Sequence, residues 1–154
     1  MSEENMEEEI LEVEKKIFKI GDREVIVREL PYFANRRLLK ILEPMIQKLF
    51  SESNFIKTIK EEGDSIRVLV ALIFDALINN DLLLDFYSYG LQKPIKNDLG
   101  QIEWIPEDKN FLGNYLTLEL EEKLFLTILE VNKIPDILKN SLSLVMKLQN
   151  QKNS

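Results

Sequence analysis

The sequence predicts a mainly α fold: a compact helical bundle with an N-terminal β-hairpin packed on it. Three observations carry this prediction. Beyond residue 31, apolar residues recur mostly at helical spacing. The segment KIFKI-GD-REVIV alternates with period two on both sides of a Gly-Asp loop. A lone two-stranded hairpin is marginal in water, so its apolar face must rest on the helices.

The hairpin comes first in the chain, at about residues 16–29. A two-residue Gly-Asp loop suits a primed turn, because glycine takes positive φ without a Cβ clash. That loop sets the register: Ile20 faces Arg23, Lys19 faces Glu24, Phe18 faces Val25 and Ile17 faces Ile26. Phe18, Ile20, Val25 and Val27 then share one face, and Lys19 and Glu24 make an opposite-charge pair on the other.

Helices follow. Pro31 suits a first helical turn, where its missing N–H costs nothing. Leu38, Leu39, Ile41, Leu42, Met45, Ile46 and Leu49 form a broad stripe interrupted by Pro44, so a kink or break is expected near Glu43. Ser53 to Glu62 reads as a short helix closed by Gly63, with Asp64 or Ser65 capping the next. From Ile66 to Ile78 eleven of thirteen residues are apolar. A helix apolar nearly all round is expected at the centre of the core. Arg67 and Asp75 lie about 80° apart on its wheel and can share one narrow solvent edge.

Asn79-Asn80 ends that helix and Asp81 is placed to cap LLLDFYSY, which stops at Gly90. The weakly patterned QKPIKNDLGQIEWIPEDKN holds either a second small hairpin, Pro94–Trp104, or a plain loop. Thr117 caps a helix that runs through Val131. Asn132-Lys133-Ile134-Pro135 breaks it, and a last helix starts at Pro135 with Leu138, Leu142, Val145 and Leu148 as its stripe. That stripe reads as core, although a terminal amphipathic helix can also swap or dock. No internal repeat or interdomain linker is visible, so residues 15–150 read as a single domain.

Composition restricts the chemistry. Of 154 residues, 45% are apolar and 31% charged, and there is neither cysteine nor histidine. Disulfides and thiolate metal sites are thereby excluded, and the commonest general base and zinc ligand is missing. The net charge of −7 is uneven. Residues 1–14 carry Glu3, Glu4, Glu7, Glu8, Glu9, Glu12 and Glu14 without a base, whereas the other 140 residues balance 20 acids against 20 bases. The first 14 residues therefore read as an acidic, disordered tail, with a docking arm for a basic partner as the alternative.

Basic residues are dispersed, with Arg36-Arg37-Lys40 the densest group, and nucleic-acid binding wants a concentrated positive face. The acidic N-terminus is no secretory signal. The apolar stretch of Ile66–Ile78 is 13 residues long, whereas spanning a bilayer takes about 20. The expectation is a cytoplasmic protein without nucleic-acid or membrane partners.

Candidate sites are few. No two glycines lie close enough to form a phosphate-cradling loop. Glu119, Glu121 and Glu122, and separately Glu61, Glu62 and Asp64, are the carboxylate groups that an acid pair or metal site would use. Acids in a first helical turn are already explained by the macrodipole, and the second group by a helix end. No cofactor is implied. The aromatics Phe86, Tyr87, Tyr89 and Trp104 are the partner-binding candidates, since tyrosine and tryptophan bury large area while keeping a polar handle. The alternative is that they close the core against the loop.

Two stretches resemble a known family. KIFKIGDREVIVREL leading into NRRLLKILEPMIQKL resembles the start of tail assembly chaperones of tailed bacteriophages and related prophages. LTLELEEKLFLTILEVNK is similar to a later helix of such proteins, which often ends in a valine-asparagine step. The resemblance covers residues 15–50 and 116–133. It implies a small non-enzymatic protein of the bacterial host cytoplasm that binds the long, helical tape measure protein during tail assembly. It carries over no site residues. A structural or adaptor subunit acting as a homo-oligomer is the alternative, and a carboxylate-only enzyme a third reading.

Overall fold

The computed structural model describes residues 15–52, 54, 55, 57 and 65–152. Strands β1 (Lys15–Ile20) and β2 (Arg23–Arg28) form the expected antiparallel hairpin. The register matches the sequence reading pair for pair, from Ile20 opposite Arg23 to Ile17 opposite Ile26. Gly21 turns at φ +59°. Its missing side chain has a second use, because a Cβ there would lie 2.9 Å from the Tyr115 ring.

Phe18, Ile20, Val25 and Val27 are buried against the helices, with Ile17 exposed on the opposite face. Burying each such side chain is worth about 1.5–3 kcal/mol. The hairpin is thus stabilised by what lies beneath it.

Helix α1 (Tyr32–Ser51) starts one residue later than the proline rule suggests. Pro31 is the N-cap, extended at ψ 170°, and its carbonyl accepts the Asn35 N–H at 2.8 Å. Pro44 does not break the helix, which runs on for seven further residues. Ala34, Leu38, Leu42 and Met45 are buried along one face on both sides of it, and that shared burial holds the two halves together.

Helix α2 (Ser65–Asn79) departs from expectation. Leu69, Ile73 and Leu77 are buried, and Arg67, Ala71 and Asp75 line the expected solvent edge. The flanks, however, are only half-buried at Ile66, Val70 and Phe74, and Ile78 is exposed. The helix lies along the side of the core, not at its centre. The expected short helix of Ser53 to Glu62, its Gly63 stop and the Asp64 cap lie almost wholly outside the described residues.

Asp81 does not cap α3 (Leu83–Gly90); the N-cap is Leu82. Asp81 instead sits at φ +60° just past α2, with Leu82 N–H on the Leu77 carbonyl and its own N–H on Ile78. This is the left-handed helix stop usually given to glycine, tolerated here by a short polar side chain. Gly90 allows α3 to approach α5, since a Cβ would fall 2.8 Å from Ile128 Cδ1.

Residues 93–105 do form a second hairpin, β3 (Lys93–Lys96) with β4 (Ile102–Ile105), pairing Pro94 with Trp104. The Asn97 side-chain oxygen accepts Leu99 and Gln101 N–H groups and closes its loop. The two hairpins are separate two-stranded sheets. Helices α4 (Lys109–Tyr115), α5 (Leu118–Val131) and α6 (Ile134–Lys152) complete the bundle.

Thr117 is the N-cap of α5 by position, but its side chain makes no cap bond. Between α5 and α6, Lys133 takes the left-handed conformation. The α6 stripe is buried at Leu138 and Leu142 and half-buried against the core at Val145, whereas Leu148 is 52% exposed, so burial fades along the helix. The first hairpin rests on α5, and α3 is packed by α1, α2, α4 and α5. Among the described residues, no helix is long and apolar enough to cross a membrane.

Candidate functional site

Of the four aromatics singled out by sequence, Phe86 and Tyr87 are fully buried and offer no ring to a partner. Phe86 stacks on Phe125 at 5.1 Å between centroids, and Tyr87 donates its hydroxyl to the Glu121 carbonyl at 2.6 Å. Burial, reinforced by the Glu121 charge, pushes the Tyr87 phenol far above its ordinary range, so it stays protonated. These two rings serve the core because α3 is hemmed in from four sides. Tyr89 and Trp104 are half-buried.

Two surface grooves stand out instead. The first lies between α2 and α5, with a volume of ≈ 610 Å³, walled by Ile66, Val70, Ala71, Phe74, Phe125 and Leu126. Its floor is aromatic, with Phe74 and Phe125 4.8 Å apart. Arg67 and Glu122 stand at its edges. The apolar excess of α2 thus ends in a cleft and not, as its all-round apolar pattern suggests, in the core. Helical periodicity was visible in the sequence, but nothing in it says how many neighbours a helix has.

The second groove, ≈ 590 Å³, runs between the first half of α1 and the second hairpin. Phe33, Ile102 and Trp104 supply apolar wall, and Arg36, Arg37 and Lys40 supply positive charge. Phe33 is 78% exposed, with Tyr32 edge-on to it at 5.5 Å. Arg37 donates to the Trp104 carbonyl at 3.2 Å, tying helix to hairpin. Arg36 reaches Glu43 only at 3.9 Å, and Lys40 has no ion pair among the described residues.

The carboxylates do not converge. Among the described residues no three acidic side chains gather as a metal site would require. Glu119 and Glu121 occupy the first turn of α5, where the helix dipole favours them. The trio of Glu61, Glu62 and Asp64 lies outside the described residues. One acid that the sequence reading passed over is buried: Glu107. It meets Arg23 at 2.7 Å, Lys93 at 3.3 Å and the Asp108 N–H at 3.0 Å. Burial alone would raise its pKa, but the Asp108 amide and the two cations outweigh it and hold the carboxyl below its ordinary value. A carboxylate held ionised between two cations is a structural clamp, poorly suited to take up a proton and pass it on. Only its tertiary setting distinguishes it from other glutamates.

Compared with protein-family models, curated proteins and solved structures, the chain shows no match.

Proposed function

We propose that this protein binds another polypeptide without transforming it, in the manner of a phage tail assembly chaperone that shields the tape measure protein in the host cytoplasm. The observation that supports this reading is the α2–α5 groove: an aromatic-floored apolar cleft between two helices, left uncovered by the rest of the described chain. Such a cleft suits the apolar face of an amphipathic helix, which docks by anchors at i, i+3, i+4 and i+7. A long coiled-coil client presents that face repeatedly, so many modest contacts along it can add up.

The test is co-expression with a tape measure protein encoded in the same genome. Wild type should keep that product soluble and co-purify with it. Ala71→Glu and Leu126→Glu, both at exposed positions, should abolish the complex while leaving thermal unfolding within a few degrees of wild type. Unchanged client solubility with no complex would overturn the reading.

A second reading has its own support. The distal half of α6 exposes Leu144 and Leu148, a stripe that another copy can cover. A closed oligomer whose mass does not vary with concentration, seen by light scattering, would favour a structural subunit over a client-binding chaperone.

A further inference from the structure

We infer that the groove between α1 and the second hairpin is the docking site for the chain's own acidic segment, residues 1–14. The argument starts from charge. Three bases, Arg36, Arg37 and Lys40, line this groove against a single acid, Glu103. Residues 1–14 hold seven of the chain's acids and no base, while the remainder of the chain is balanced. The excess negative charge and this local excess of positive charge are complementary.

The apolar content matches as well. The segment MSEENMEEEILEVE interleaves Met6, Ile10, Leu11 and Val13 with its glutamates. The groove offers Phe33, Ile102, Trp104 and Ile105 beside its cations. A purely ionic tail would have no use for such walls, and a purely apolar one no use for the arginines. Phe33 is exposed beyond what a core-closing phenylalanine requires, and Lys40 has no ion pair among the described residues.

Reach is sufficient. The segment is rooted at Lys15, which pairs with Arg28 across the hairpin. From Arg28 the chain needs only five residues to arrive at Phe33, at most about 18 Å. The helical rise from Phe33 to Lys40 adds about 10 Å. Fourteen extended residues span up to about 50 Å, so the segment can cover the whole groove. Tethering also keeps its effective concentration high, and a weak ionic contact then suffices for occupancy. The inference does not depend on the client reading, which rests on the α2–α5 groove.

The full-length chain provides its own test. With no native cysteine, Ser2→Cys accepts one nitroxide spin label, and amide signals report where the label dwells. At low salt, signals of residues 33–40 and 102–105 should be broadened away. They should recover at about 1 M NaCl, where charges further apart than about 3 Å are screened. They should also recover at low salt when the seven glutamates of residues 1–14 are changed to glutamine. That variant alters none of the described residues, so the fold is not at stake. Sharp groove signals at low salt would overturn the proposal, as would broadening indifferent to both salt and glutamate neutralisation.

Discussion

Asn132 uses both halves of its side-chain amide at a junction between distant parts of the chain. Its oxygen accepts the buried Leu30 N–H at 2.8 Å, and its amide donates to the Ile128 carbonyl at 2.9 Å. The asparagine of the valine-asparagine step therefore fixes the exit of the first hairpin onto the end of α5. Asn132→Leu leaves the Leu30 N–H buried without a partner, which costs about 1–3 kcal/mol. Urea titration should show a lower midpoint with an unchanged slope. Gly21 is a second such position, since its φ of +59° and its contact with Tyr115 both oppose a side chain. Gly21→Ala should destabilise by about 1–2 kcal/mol from the backbone term alone, with the ring clash on top. Adding Tyr115→Ala removes the ring atoms at 2.9 and 3.0 Å and leaves only the Cβ at 3.1 Å, so the double variant should lose less than the two single losses summed, a coupling that a double-mutant cycle measures.

At the scale of elements, legibility followed the strength of local rules. The first hairpin could be read in full because a period of two and a two-residue turn leave a single register that buries Phe18, Ile20, Val25 and Val27. The environment of α2 could not. Ile66 to Ile78 is apolar on nearly every side, and that pattern is the same whether a helix is enclosed or lies beside a cleft. The aromatics Phe86 and Tyr87 are close in sequence to the half-buried Tyr89, but their burial is decided by α5, more than thirty residues on. Pro44 shows tertiary packing overriding propensity, because buried contacts on both sides keep α1 continuous. An interior proline still costs about 3 kcal/mol, while its loss loosens the unfolded chain by up to about 1 kcal/mol. Pro44→Ala should therefore stabilise the protein by about 2 kcal/mol in chemical denaturation. A loss of stability instead would mean that a proline-induced bend is required to seat Leu42 and Met45.

Across the whole molecule, Glu107 is where elements far apart in sequence meet. Its carboxylate takes Arg23 from β2 and Lys93 from β3, and its backbone exchanges hydrogen bonds with Ser88 of α3. Arg23 in turn stacks on the Phe111 ring of α4, 3.5 Å from guanidinium carbon to centroid. One buried charge thus joins both hairpins to two helices. Folding holds this carboxyl below the ordinary glutamate value of about 4.5. The unfolded chain therefore binds the proton first as pH falls, and the sign of the linkage follows. The stabilisation is fully present above about pH 4.5 and is lost as pH drops through the lower folded-state value. Glu107→Gln keeps the shape but not the charge, leaving Arg23 and Lys93 without their counter-ion. Urea titrations at neutral pH should show a clear loss of stability in the variant. Well below pH 4 the wild type is protonated too, so the gap between the proteins should narrow towards zero. If the gap stays constant across that range, Glu107 acts through its packing alone, and its charge does not hold the two hairpins to the bundle.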